Sequence, residues 1–421
     1  MNTQPMTARH AGILACCCIQ CGIPVAMLIS APGVFYPVIA SDLGVQTAEI
    51  SAWMSVALLS SAAFAPLVGN LLDRVRLKTM RIAGIVIAAA AMAVFSQATA
   101  PWMFWAAAVF LGITLVLLTS LGPATLVNRW FAERVGMAMG IYAAFTGVGG
   151  VVFLMLGQAI IDTAGWRAAY LTFAAITAVV SLPVELLLNR ERPQECGLLP
   201  YGATGTAPDV ADAPASIDGE AVRHQANALT LTAPFWLLVA CAFMMNLVCQ
   251  INSFFPKYVL WVDAQVGLGL MAGAFVTGAV LSSVCQAGNA IGKVGLGFFS
   301  DFSVRNAAIL LAVCGVAGVA FVWQCSATFL LPVGGLVFGF FIAGVLVLVP
   351  MLCRHVFGAG EVYPVLYARI SAAPTLGGAV GNVLWPVLAD GVGGFDAVFG
   401  GAIALIVLVM VCALAALRQA Q

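Results

Sequence analysis

Charge is what this sequence has least of. Only 8% of its 421 residues are Asp, Glu, Lys or Arg, with 17 basic side chains against 17 acidic, whereas soluble domains carry about 25%. So few charges cannot furnish a water-facing surface, and the lipid bilayer is the solvent that tolerates such a chain. No basic run is present, which excludes a nucleic-acid partner, because phosphate contacts need clustered Lys and Arg. The three histidines, His10, His224 and His355, are scattered, and nearly all 12 cysteines lie in apolar runs. A zinc or disulfide framework would place them in polar loops at fixed spacing. Cys16, Cys17, Cys18 and Cys21 therefore read as small apolar filler in a helix, and no metal site is expected. No phosphate-binding glycine loop, nucleotide fold or hydrolase constellation occurs, so neither an enzyme nor a cofactor is expected.

What the chain has is apolar length: 62% of it is hydrophobic. Crossing a bilayer core of about 30 Å takes about 20 apolar residues. Breaks at charged and Pro/Gly-rich points leave twelve such runs, near 11–40, 50–72, 79–98, 101–126, 136–161, 166–188, 233–259, 267–299, 307–324, 328–350, 362–389 and 395–416. Backbone groups in lipid must be satisfied internally, so each is a helix, and short alternating strands of a barrel are not seen. The fold class expected is an all-α membrane protein of twelve transmembrane helices. The first run is too long for a signal peptide and is expected to be retained as a span.

Basic residues flank one side. With both termini together, thirteen of them, Arg9, Arg74, Lys78, Arg81, Arg129 and Arg305 included, fall on that side, and only Arg167 and Lys257 on the other. By the positive-inside rule both termini are cytoplasmic, in a multi-pass protein of the inner membrane. The polar stretch 201–228, with Asp209, Asp212, Asp218 and Glu220 among Ala, Gly and Pro, reads as a flexible cytoplasmic linker between a six-helix bundle at 1–200 and another at 229–421.

The halves repeat at an offset of 228 residues. Gly69 falls on Gly297, Asp73 on Asp301, Gly149 and Gly150 on Gly377 and Gly378, and Asp162 on Asp390. In a chain this poor in acids the paired aspartates carry weight. Parallel six-span repeats that hold substrate between them are a plan of secondary transporters.

The segment Gly69-Asn-Leu-Leu-Asp73-Arg74-Val-Arg76-Leu-Lys78 resembles the loop 2-3 signature of the major facilitator superfamily, with Arg76 standing where that signature usually has glycine. Its second copy keeps Gly297 and Asp301. The resemblance implies two pseudo-symmetric bundles, an alternating-access cycle in which Gly69, Asp73, Arg74, Lys78, Gly297 and Asp301 gate or couple the halves, and usually a monomer. Asn128-Arg129-Trp130-Phe131 with Gly136 and Gly140, and the run from Arg192 to Pro200, resemble the oxalate/formate antiporter and monocarboxylate-porter branch.

Two cations fall inside runs. Lys293 lies eight residues before Asp301 and Arg369 eight after Glu361, roughly 12 Å from the basic-rich side at 1.5 Å per residue. Charges at that depth are functional by default. No carboxylate is expected near mid-depth to pair with them: Glu185 lies close to the end of span 6, which faces lipid in the superfamily. Two cations facing one cavity ask for an anion. In the oxalate/formate antiporter an Arg in span 8 and a Lys in span 11 bind substrate, so the pair has its types exchanged here. The proton-relay carboxylate of monocarboxylate porters is absent, Asn289 standing in its place. Asn289, Tyr367, Gln20, Asn246 and Gln250 complete the expected binding set, with Tyr36 and Tyr142 as walls. The function expected is alternating-access transport of a small organic carboxylate, mono- or dicarboxylate, with anion exchange as one mode. Efflux of a neutral or amphipathic drug-like compound, and a non-transporting membrane sensor, are the alternatives.

Overall fold

The computed structural model describes residues 4–71, 75–203, 219–266, 277–324, 330–358, 362–391 and 393–419. Asp73 and Arg74 of the signature loop lie outside them, and the side chain of Asp301 is likewise not described. Ten helices are long and apolar enough to cross a bilayer. One of these, Met137–Leu188, is 52 residues long and breaks at Gly165, whose φ of +83° lies in the region open to glycine. It therefore supplies spans 5 and 6. Helix Gly278–Phe302, of 25 residues, is long enough to be span 8, but Ser282, Ser283, Gln286, Asn289 and Lys293 keep it out of the apolar set. Among the described residues this gives twelve helical segments long enough to cross, as the sequence leads one to expect. Among the described residues the sole extended pairing is a bridge between Phe131 and Tyr201.

Contacts divide the chain into two compact units, Met1–Ala31 with Val56–Ile217, and Pro32–Ser55 with Asp218–Gln421. The segment Pro32–Ser55 thus groups with the later half of the sequence, a grouping that a division at the polar stretch does not anticipate. Its start is a proline that follows Ser30 and Ala31, where the first span loses helical regularity. Part of the stretch expected to be a flexible linker is ordered: Tyr201 donates its amide to Trp130 O at 2.9 Å, and 219–228 belong to the helix Gly219–Thr230.

In the first unit, π-helical turns interrupt span 1 at Cys21–Val25, span 4 at Val116–Ser120 and span 6 at Thr177–Ser181. Its aromatic core joins Phe95 to Phe104 at 4.9 Å and to Tyr170 at 5.3 Å between ring centroids. The motif around Trp130 and the run ending at Pro200 meet the N-terminal helix at one buried imidazole. Nε2 of His10 lies 3.0 Å from Leu199 O, and Nδ1 lies 3.3 Å from the Thr7 amide. The Thr7 hydroxyl also lies 2.7 Å from Nδ1, so both ring nitrogens are engaged. Trp130 Nε1 donates to Arg190 O at 2.9 Å in the same cluster.

The repeat survives as helix crossings. A Cβ on Gly149 of span 5 would lie 1.8 Å from Gly22 O in span 1, and one on Gly377 of span 11 would lie 2.0 Å from Phe243 O in span 7. Backbones touch at both places, and helix contact in lipid relies on such close approach. Gly377→Ala is therefore expected to cost about 1–3 kcal/mol through overpacking, read as a lowered melting temperature of the purified protein. Melting at the wild-type temperature would show that spans 7 and 11 do not meet this closely.

Candidate functional site

Span 8 presents three different faces, and their order along the sequence explains the site. Leu281, Cys285, Gly288 and Gly292 recur at helical spacing and lie on span 10 (Leu331–Phe357): Cys285 O would be 2.1 Å from a Cβ on Gly339, and Leu336 O 2.1 Å from one on Gly288. Ile291 and Val294 are exposed, each at 55%, as side chains that meet lipid should be. The remaining face carries Ser282, Gln286, Asn289 and Lys293, at i, i+4, i+7 and i+11. At 100° per residue the four fall within an arc of about 60°. All are buried, Lys293 at 7% and Asn289 at 6% exposure.

Neighbouring groups from the same unit adjoin this face. Ser282 Oγ donates to Asn252 O at 3.4 Å, which ties it to the 3₁₀ turn Gln250–Phe254 in the middle of span 7. Asn289 Nδ2 lies 3.5 Å from Gln286 Oε1. The side-chain oxygens of Asn289 and Asn252 and the hydroxyl of Tyr36 are buried with no hydrogen-bond partner. Tyr36 stacks on Phe254, with ring centroids 5.9 Å apart.

Other residues nominated from the sequence are placed elsewhere. Asn246 Nδ2 donates to Pro374 O at 2.6 Å, Gln250 Nε2 to Asn246 Oδ1 at 3.3 Å, and Asn382 Nδ2 to Gln250 Oε1 at 3.1 Å. This amide chain joins span 7 to span 11. Gln20 Nε2 donates to Ser181 O at 2.9 Å, joining spans 1 and 6 of the first unit. Tyr142 packs with Cys17, Cys18 and Cys21 in a hydrophobic cluster, and Lys78 Nζ donates to Leu186 O at 2.7 Å. Each of these contacts is one that membrane helices use to hold together.

Arg369 stands near the end of the short helix Tyr363–Ile370, with Tyr367 half-buried two residues earlier. Its guanidinium is exposed, and Nη2 donates to Asn227 Oδ1 at 2.8 Å. Asn227 belongs to the polar helix Gly219–Thr230, so Arg369 reaches toward the chain's polar border while Lys293 is enclosed.

A buried ion pair that the sequence does not announce lies near the ends of spans 3 and 6. Arg81 and Glu185 are both fully buried in the first unit, with Nε 2.7 Å from Oε1 and Nη2 3.0 Å from Oε2. Glu185 does not face lipid, and Arg81 is not a loop residue. Cys16 Sγ donates to the same carboxylate at 3.3 Å, as does Asn189 Nδ2. One member of the cysteine cluster is therefore a hydrogen-bond donor as well as filler. Sequence reading also passed over Ser282, Gln286 and Asn252. Counting back from Lys293 in steps of four and three would have found the first two.

A family model described as the Major Facilitator Superfamily matches residues 20–362. Among solved structures, the nucleoside transporter NupG is similar with a TM-score of 0.71 at 14% identity, over 96% of this chain and 99% of that one. A bacterial homolog of the human lysosomal transporter Spinster, solved inward-facing and unoccupied, is similar with a TM-score of 0.66 at 15% identity, over 99% of this chain and 96% of that one. At such identities the likeness speaks for the fold alone.

Proposed function

Because the chain belongs to the major facilitator superfamily, we propose that it is a secondary transporter that moves a small organic carboxylate across the cytoplasmic membrane by alternating access, with both termini in the cytoplasm. One observation carries the substrate class: an ammonium, Lys293, is enclosed on the polar face of a membrane-crossing helix beside Asn289 and Gln286. A cation kept at such depth is costly and is retained where it serves a ligand or a pathway. A carboxylate beside Lys293 lowers the electrostatic cost of closing protein around that ammonium. A ligand shifts a conformational equilibrium only by binding the two states differently, and the occluded state is the one such a ligand favours. Exchange of anion for anion is thus easier than return of the empty carrier.

Arg369 of the same unit is exposed and donates to Asn227, whereas Lys293 is buried on the polar face of span 8. Membership of a transporter family also sets the chain apart from enzymes.

The test is counterflow in proteoliposomes. Uptake of a labelled carboxylate is expected to accelerate when the lumen is preloaded with an unlabelled one. Absence of carboxylate uptake, together with absence of any competition by carboxylates for the purified protein, would overturn the assignment of substrate class.

A further inference from the structure

The polar face of span 8 says more about the substrate than its charge. Along that face the only ionisable group among the described residues is Lys293, and everything N-terminal to it is neutral: Asn289, Gln286, Ser282. A dicarboxylate would lay its second charge against amides and a hydroxyl, since the described residues of this face include no second cation. The cation that the sequence offered for that role, Arg369, is exposed and bonded to Asn227.

The neutral groups are not idle fillers of the helix surface. Asn289 Oδ1 and Asn252 Oδ1 are buried acceptors without donors, and Asn289 and Asn252 are only 6% and 8% exposed. A buried acceptor left unpaired is costly, and on this face a ligand hydroxyl would remove that cost at both oxygens. Asn289 stands one helical turn from Lys293, a separation of about 6 Å. Asn252, held by its carbonyl to Ser282, lies about two turns further along. Both oxygens ask for a hydroxyl or N–H, and neither accepts a second carboxylate. Tyr36, whose hydroxyl is equally unpartnered, can donate to or accept from a substrate hydroxyl.

We propose that the substrate is a polyhydroxylated monocarboxylate with the chemistry of a sugar acid: its single carboxylate at Lys293, and hydroxyls ranged along Asn289 and, beyond it, toward Asn252. The inference rests on the carboxylate reading above and deepens it. Hydroxyl groups suit the face because each both donates and accepts, so one can satisfy Asn289 Oδ1 while receiving from a neighbouring amide. A plain alkanoate would leave both oxygens unpaired, and a site built for a hydroxyl rejects the analogue that lacks it more strongly than a hydrophobic pocket rejects a missing methylene.

The experiment compares four probes on the purified full-length protein by thermal stabilisation and by competition for uptake: gluconate, hexanoate, succinate and glucose. Gluconate alone is expected to stabilise and compete strongly, with hexanoate and succinate each at least about tenfold weaker, the loss of one or more hydrogen bonds to a buried group. Replacing Asn289 by Leu is expected to reduce gluconate affinity by about tenfold or more while leaving hexanoate within about twofold. Succinate or hexanoate equal to or better than gluconate on the wild-type protein would overturn the sugar-acid inference and leave the carboxylate assignment standing. Glucose binding with no response to any carboxylate would overturn both. The probe series on wild-type protein decides the matter even if the Asn289 variant does not fold.

Discussion

Replacement of Arg81 by Met, or of Glu185 by Leu, is expected to be the most damaging single change in the first unit, and replacement of both together is expected to recover most of the loss. Two hydrogen bonds join the pair, and Cys16 and Asn189 fill the remaining positions around the carboxylate. Spans 1, 3 and 6 are thereby fastened at one buried point. Removing one partner leaves an uncompensated charge in a place that excludes water, at a cost of about 3–5 kcal/mol, whereas exchanging both for apolar residues of similar volume is often neutral. The readout is the melting temperature of detergent-solubilised protein, with the two single variants and the double variant completing a cycle whose coupling term isolates the pair. Wild-type melting in either single variant would show that the pair does not hold the unit together. A double variant no better than the singles would show that the damage comes from lost shape, not from a stranded charge.

Lys293→Ala is expected to abolish carboxylate exchange while leaving the protein folded, and Arg369→Ala is expected to leave exchange close to the wild-type rate. Truncating one member of a desolvated charge pair costs about 2–5 kcal/mol, so the loss at Lys293 should be at least about 30-fold in transport efficiency. Lys293→Arg keeps the charge but replaces a compact ammonium with a planar fork, and should retain a fraction of the activity with altered selectivity among carboxylates. The contrast between the two cations is the sharper part of the prediction. It follows from placement alone: Lys293 is 7% exposed on a polar helix face, and Arg369 is exposed and bonded to Asn227. Equal loss from Lys293→Ala and Arg369→Ala would restore the pair of cations as joint substrate ligands. Full activity of Lys293→Ala would remove span 8 from the site.

The two largest effects expected thus arise from charges of opposite legibility. Lys293 was found by sequence because a cation within an apolar run is conspicuous, and the same reasoning named Asn289 one turn away. Arg81 is as conspicuous, but it lies near Arg74, Arg76 and Lys78 and so reads with the basic-rich loop. Nothing in a linear reading couples it to Glu185, which is 104 residues away. The polar residues Gln20, Asn246 and Gln250 show the same limit from the other direction. Their residue types suit a ligand site, yet Gln20 and Asn246 donate to carbonyls of neighbouring helices and Gln250 accepts from Asn382 of span 11. Ser282 and Gln286 share the helical period of Lys293, but neutral polar residues are common in membrane helices and do not stand out by type as a cation does.

By itself the sequence determined the solvent, the number of crossings and the existence of a repeat. Transfer of a segment into lipid depends on the sum of its own side chains, and that sum can be read along the chain without knowing what packs where. Gly149 and Gly377 could likewise be paired by their spacing before their crossings with spans 1 and 7 were known. Tertiary structure alone decided which polar groups are satisfied by the protein and which are left over. That outcome depends on which helices meet and at what rotation, a relation between distant residues that no local sum contains. It joined Arg81 to Glu185 and Arg369 to Asn227, and left the side-chain oxygens of Asn289 and Asn252 buried with no hydrogen-bond partner.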